Sequence, residues 1–296
     1  LILSTPSQQI SASVVADLRR KTGAGMMDCK EALAQSGGDI EKAIEFLRKK
    51  GKAAMRKRAD RQANEGVIAA AVSPDGHCGT LAEVNSETDF VARNAEFRTF
   101  ADKVAARILD WNDASGKTVA QLLELPLQGK RTVADELSDL VGKIGEKLEV
   151  RRFGRLTSPS GLVGWYIHSN SKLGVLVNLD GGQVDDPAAQ SLARDLAMQV
   201  AAASPLYVHR QEVPEEKLAT EKEILAEQVK TQGKPPQVVE KIVSGKLSKF
   251  FSEVCLVEQP FVKDPNITVG DWIAQAAQKT GKPLAVLSFV RFQVGE

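Results

Sequence analysis

The stretch Glu83-Val84-Asn85-Ser86-Glu87-Thr88-Asp89-Phe90-Val91-Ala92-Arg93 passes from a strand pattern into a helix pattern within a few residues. Upstream, residues 66–72 and 78–84 read as two strands, and Ser73-Pro74-Asp75-Gly76 between them reads as a turn. Downstream, Phe97, Phe100, Ala101, Val104, Ala105 and Ile108 recur at helical spacing and predict one apolar face. The quoted stretch is therefore a strand-to-helix junction. Thr88 suits an N-cap, and Asp89 suits the positive end of a helix. Phe90 fits that local role less well: it precedes the Phe97/Phe100 face and is expected to stay outside the core. An exposed aromatic beside a carboxylate is a plausible anchor for a pocket on a partner.

The same order of strand, turn, strand, loop and helix returns further along. Residues 148–156 read as a strand, and residues 162–168 and 173–179 as a strand pair. Asp186 and Pro187 open a helix as N-cap and first helical residue; its inward face carries Ala189, Ala193, Leu196 and Val200, and Pro205 ends it. Two related α+β subdomains are expected. Residues 214–251 interrupt the second as an inserted antiparallel helical hairpin. Leu218, Leu225 and Val229 lie on one helix; Val238, Val239, Ile242, Leu247, Phe250 and Phe251 lie on the other, and residues 233–236 turn the chain. The chain then returns with a strand near residues 254–257, a helix from Thr268 to Lys279, and a strand at 284–294. Thr268 in Asn266-Ile267-Thr268 is read as a helix cap, not part of a glycosylation site. Residues 110–130 look loop-rich, with a helix over 132–147.

Ahead of the first strand, residues 11–51 read as three short helices. Ser11 caps the first, where Val14, Val15 and Leu18 are apolar and Gly23 is the stop. Met26, Cys29 and Leu33 face inward on the second, which Gly37-Gly38 ends. Asp39 caps the third, with Ile40, Ala43, Ile44 and Leu47 at helical spacing and Gly51 closing it. The next stretch is basic: Arg48, Lys49, Lys50, Lys52, Arg56, Lys57, Arg58 and Arg61 stand against Asp60. It reads as a solvated linker helix or, alternatively, as a patch facing an acidic partner or RNA. The domain plan is a helical bundle over 1–55, a core subdomain over 56–157 and a second core subdomain over 158–296, with the hairpin at about 214–251.

Composition narrows the function. Across 296 residues, 39 Lys and Arg balance 38 Asp and Glu, so direct nucleic-acid binding is not expected. No apolar run approaches the roughly 18 residues that span a bilayer. Cys29, Cys78 and Cys255 are widely spaced and odd in number, which points to free thiols in a reducing compartment. Thr22-Gly23-Ala24-Gly25 with Lys30 faintly suggests a phosphate loop but follows a helix, not a strand. His77, His168 and His209 make no metal-ligand spacing. No nucleophile–base pair is visible, and neither an enzyme activity nor a cofactor is expected.

Two long motifs carry a family resemblance. Residues 18–33, Leu-Arg-Arg-Lys-Thr-Gly-Ala-Gly-Met-Met-Asp-Cys-Lys-Glu-Ala-Leu, resemble the first signature of the elongation factor Ts family, and residues 83–93 resemble the second. The likeness continues through residues 166–177, Pro205 and Gln259-Pro260-Phe261-Val262. It implies an N-terminal three-helix ubiquitin-associated-like bundle, two core subdomains and a helical hairpin. It also implies a guanine-nucleotide exchange factor that releases GDP from elongation factor Tu, the GTPase that delivers aminoacyl-tRNA. In that family an Asp-Phe tip wedges into the partner's G domain and disturbs its magnesium site. The matching residues are Asp89 and Phe90, flanked by Thr88 and Val91. His168 is implied to help disturb the phosphate loop. Gly25, Met26 and Met27, with Lys30 of the same motif, are implied at a further contact with that domain.

The longer 110–130 stretch, the Ser169-Asn170-Ser171-Lys172 loop, the end at Glu296 and the start at Leu1 look more like the mitochondrial branch. A mitochondrial matrix location is expected, with the bacterial cytoplasm as the alternative. Three rival readings are a ubiquitin- or nascent-chain-binding adaptor built on residues 11–51, an RNA-binding ribosome-associated factor using the basic stretch, and a hydrolase.

Overall fold

The structure, a computed structural model, describes residues 10–230 and 236–296. It is an α+β protein with an N-terminal helical region, two sheet-and-helix arrays and a helical insertion. Its elements are α1 (Ala12–Thr22), α2 (Met26–Gln35), α3 (Ile40–Lys57), β1 (Glu65–Val72), β2 (Cys78–Ser86), α4 (Asp89–Ala92), α5 (Ala95–Leu109), α6 (Val119–Leu123), β3 (Pro126–Gln128), β4 (Arg131–Thr132), α7 (Val133–Ile144) and β5 (Leu148–Thr157). There follow β6 (Gly161–Ile167), β7 (Leu173–Asp180), α8 (Pro187–Ala203), α9 (Glu215–Lys230), α10 (Pro236–Val254), β8 (Pro260–Phe261), β9 (Asp264–Thr268), α11 (Val269–Thr280) and β10 (Ala285–Gln293).

Two compact units emerge. One comprises the described residues up to Ala69 with Ala82–Phe153 and Val294–Glu296; the other comprises Ala70–Leu81 and Gly154–Gln293. The boundaries fall inside β1, β2 and β5, so they cut across the three segments expected at 1–55, 56–157 and 158–296. The N-terminal helices group with the first unit because α3 packs along α7.

In the first unit, local chemistry sets the helix ends. Ser11 and Asp39 accept the amides of Val14 and Lys42, and Gly23 takes the left-handed conformation at the end of α1. Val15, Leu18, Cys29, Ala32, Leu33 and Ala43 close a small core. The expected stop at Gly51 does not occur: α3 continues to Lys57. Gly51 is instead a packing residue, since a Cβ there would sit 2.8 Å from the carbonyl oxygen of Ser138 on α7. Salt bridges and hydrogen bonds tie the basic stretch down. Lys50 bridges Asp28 and Glu31, Lys52 meets Asp135 at 3.0 Å, and Arg58 donates to the carbonyl of Gly145. The six residues named for α5 are all buried. The 110–130 stretch holds α6 and β3 and is less loop-like than its composition suggests; Thr118 and Gln121 form a capping box there.

The second unit contains the sheet β10-β7-β6, antiparallel throughout, with Leu162 opposite Leu179 and Phe289 opposite Val177. Helix α8, capped by Asp186 with Pro187 following, lays Leu192, Ala193, Leu196 and Val200 on this sheet. Helices α9 and α10 pack against each other, and Phe251, Val213 and Cys255 bury together at their base. The turn expected over 233–236 falls largely on residues 231–235, outside the described residues. The strand expected near 254–257 is absent there. Helix α10 runs through Val254, a 3-10 turn covers Leu256–Glu258, and one bridge pairs Cys255 with Tyr207. That apolar run is buried at the foot of a helix, which its composition alone does not distinguish from a strand. Thr268 caps α11 in a capping box with Asp271. The two three-stranded sheets share a plan: a consecutive strand pair, helices, then a third strand beside the second (β1-β2-β5 and β6-β7-β10).

Candidate functional site

Strand β2 is buried along its whole length and delivers the chain to residue 86 with little freedom. Helix α4 then makes one turn, with Thr88 as its N-cap accepting the amide of Val91. Arg93 caps the other end, and its guanidinium reaches back to Asp89 at 2.8 Å. Asn94 immediately caps α5, and Arg98 donates to the carbonyl of Ala92. Val91 and Ala92 turn inward and are buried. Phe90 faces outward and is 81% exposed. Burying a phenylalanine side chain is worth roughly 1.5–3 kcal/mol, so leaving one in water on a well-tied turn is a feature to be explained.

Two carboxylates hold the turn. Glu146 accepts both the amide and the hydroxyl of Thr88, at 3.1 and 2.7 Å. Glu87 accepts the amide of Lys147 at 2.5 Å and the guanidinium of Arg61. The Lys147 amide, followed by Arg61, pulls the Glu87 carboxyl below its ordinary range, although partial burial works in the opposite direction. Neighbouring residues on each segment thus bind the other reciprocally. Sequence reasoning did not single out Glu87 or Glu146 for this: the partners are 58 and 60 residues apart, and nothing local signals the pairing.

The other residues named from the sequence lie in two further places. Gly25 caps α2, and Met26, Met27 and Lys30 are exposed on it. Met26, expected inward, is 46% exposed, and Met27 is 73% exposed. The reason is local: the turn before α2 closes over Cys29, whose sulfur lies 3.9 Å from the Thr22 hydroxyl and 3.7 Å from the Ala24 carbonyl. Met26 is left at the rim. His168 belongs to the second unit, at the exposed end of β6. Tyr166 Oη lies 2.9 Å from its Nδ1, and its carbonyl accepts the amide of Ser171, a residue in the left-handed region. Structure therefore joins Thr88 to Val91 on one element and Gly25 to Lys30 on another. It leaves His168 on a separate turn. His77 has a structural role, its Nδ1 meeting the carbonyls of Ser158 and Gly161.

A groove of about 700 Å³ in the first unit is lined by residues that include Lys50, Lys103, Arg131 and Lys143. These pair with Asp28, Glu136, Asp139 and Glu96 respectively, so the groove wall is a set of salt bridges. Among the described residues, no group of three or more His, Cys, Asp or Glu is placed to hold a metal ion. No helix among them is long and apolar enough to cross a membrane.

The family model described as elongation factor TS matches residues 87–296. An elongation factor Ts of Prosthecochloris aestuarii is 48% identical over 288 residues, covering 97% of this chain and 99% of that protein. That of Chlorobium phaeobacteroides is 46% identical over 288 residues, with 97% and 99% covered. That of Clostridium perfringens is 44% identical over 287 residues, with 97% and 93% covered. These relatives are bacterial. This overturns the expectation of a mitochondrial matrix protein and gives no support to the mitochondrial branch; a bacterial cytoplasmic location is what such relatives support. The loop lengths and chain ends behind that expectation vary at little cost to a fold and mark no branch here.

Proposed function

This chain belongs to the elongation factor Ts family, and on that premise we propose that the turn carrying Asp89 and Phe90 is the part that drives exchange. The protein is a nucleotide-exchange factor of translation elongation, not an enzyme, and its partner is a GTPase of the elongation factor Tu type. The reading of the tip rests on one observation: Phe90 is exposed on a one-turn helix fixed at both ends. Phe90 enters a pocket of the GTPase, and Asp89 and the turn behind it push on the elements that hold magnesium. Thr88 and Val91 keep the tip's shape, one as cap and one as inward anchor.

The physics requires no contact with the nucleotide. GDP is held in such GTPases by backbone amides and magnesium, a concentrated electrostatic grip. A protein that displaces those ligands weakens the grip, provided it binds the distorted state better than the relaxed one. On this reading Gly25, Met26, Met27 and Lys30 give a second contact with the GTPase, and residues 1–55 act as its docking module. Residues 56–157 carry the tip. Residues 158–296 supply His168, whose Nδ1 is engaged by Tyr166 so that Nε2 is the edge available to a partner.

The test is release of a fluorescent GDP from elongation factor Tu. The full chain should accelerate it strongly, and the Asp89→Ala/Phe90→Ala double variant should lose most of that acceleration while remaining folded. Wild-type acceleration by the double variant would sink the reading.

A further inference from the structure

The turn that presents Phe90 is short, and a helix of one turn has little stability of its own. Its shape must come from elsewhere. The Thr88 hydroxyl has one proton and two lone pairs. Its proton goes to Glu146 at 2.7 Å, and a lone pair then accepts the amide of Val91. The second oxygen of Glu146 takes the Thr88 amide at 3.1 Å. One carboxylate therefore sets the backbone at residue 88 and also orients the hydroxyl that caps α4. Ser86 adds a bond to the carbonyl of Thr88. Glu146 itself sits just after Gly145, the left-handed residue that ends α7, so it is held by the close of a long, well-packed helix.

We infer that Glu146 is a positioning residue for nucleotide exchange, acting through Thr88 to keep Phe90 in the orientation that enters the partner. The inference rests on the tip reading above, and it adds a residue 58 positions away in the chain that acts through Thr88. A side chain that must be ordered during association weakens binding, and a brace made beforehand removes that cost. Charge-assisted bonds of this kind are the strong ones. Removing the carboxylate leaves the same aromatic on a looser turn.

Four variants of the full chain test this: Glu146→Ala, Glu146→Gln, Phe90→Ala, and Glu146→Ala combined with Phe90→Ala. Release of fluorescent GDP is followed against chain concentration, and amide hydrogen exchange of the free chain is followed at Thr88 and across α5. In Glu146→Ala, Thr88 should exchange about tenfold faster while α5 keeps its protection, as loss of a local brace requires. The half-saturating concentration should rise about tenfold, with a smaller change in the maximal rate, in keeping with a lost ordering contribution. The combined variant should behave like Phe90→Ala alone, because a residue that acts through the tip adds nothing once the tip is gone. Glu146→Gln keeps one carbonyl acceptor and should fall between wild type and Glu146→Ala; it also serves if the alanine variant does not fold. Unchanged Thr88 protection, an unchanged half-saturating concentration, or additive losses in the combined variant would each overturn the inference. If Phe90→Ala itself exchanges like wild type, the reading of the tip has failed; if Phe90→Ala is impaired and Glu146→Ala is not, the brace alone has failed.

Discussion

Two strand-to-helix junctions occupy the same place in the two sheets, each following the middle strand: β2 to α4 in one, β7 to α8 in the other. They are built oppositely. At the second, backbone packing fixes the turn. Gly181 has φ +76°, and a Cβ there would lie 2.0 Å from the carbonyl oxygen of Pro283. Gly182 sits against Leu162, Leu179 and Ala189, and Asp186 then caps α8. At the first, side-chain carboxylates fix the turn, and an aromatic is held outward. The second junction also exposes an apolar residue, Val184 at 43%, but a smaller one on a glycine loop. One plan thus carries two kinds of constraint. Packing into the core makes a junction stable, while bracing from the side leaves its outer face free for a partner.

If that contrast is right, damage at the two junctions should have different consequences. The largest effect belongs to Gly181→Ala. It combines a left-handed backbone with a clash against backbone that cannot swing away, and should lower stability by about 3 kcal/mol. Urea unfolding measures it, and exchange per folded molecule should stay at the wild-type level. Phe90→Ala should show the reverse. Truncating an exposed anchor should cost on the order of 2 kcal/mol in binding to the GTPase and leave the unfolding midpoint in place. Calorimetry of the complex reads the first quantity and thermal melting the second. Val184→Ala is the matched control and should move neither. A Val184→Ala variant as weak in binding as Phe90→Ala would erase the distinction between the junctions. Next in size is Thr88→Ala, which removes the cap and the hydroxyl bond to Glu146. It should cost about 1 kcal/mol of stability, as lost caps do. An additional rise in half-saturating concentration is expected, and a stability loss with normal exchange would place Thr88 with the scaffold.

The parts of this arrangement that were legible in the sequence are those decided nearby. The α5 face, with Phe97, Phe100 and Val104 buried, follows from spacing alone. So do the caps at Ser11, Asp39, Asp186 and Thr268, because each needs only an amide two or three residues on. Phe90 could be singled out because it did not belong to the α5 face. What failed was decided by distant chain. Gly51 can stop a helix or admit a neighbour, and Ser138 settles the choice. The run from Val254 to Val257 can be a strand or a helix foot, and Tyr207 settles that. Met26 is the local exception, left at the rim where the turn around Ala24 closes over Cys29. The brace on Thr88 was invisible because it comes from distant chain: Glu146 on its own is one more surface-type carboxylate. Family motifs pointed to the tip without saying what holds it.

Protonation offers the gentlest probe of the first junction. The Glu87 carboxyl is held below its ordinary value of 4.5, chiefly by the amide of Lys147 and then by Arg61. A carboxyl whose folded-state value is depressed favours the folded arrangement above the unfolded-state value, and that contribution fades as pH falls through the folded-state value. The Glu87 contact with Lys147 should therefore be at full strength from neutral pH down to about 4.5, and weaken only below it. The Lys147 amide resonance followed against pH should titrate with a midpoint below 4.5. In Glu87→Gln that titration should vanish, since the neutral amide keeps an acceptor for Lys147 but has no proton to gain. The glycine-built second junction gives a reference: amides at Gly181 and Gly182 should show no step at the Glu87 midpoint. A Lys147 midpoint at or above 4.5 would mean that the carboxylate is not preferentially stabilised by this geometry, and the first junction would then owe its shape to Glu146 alone.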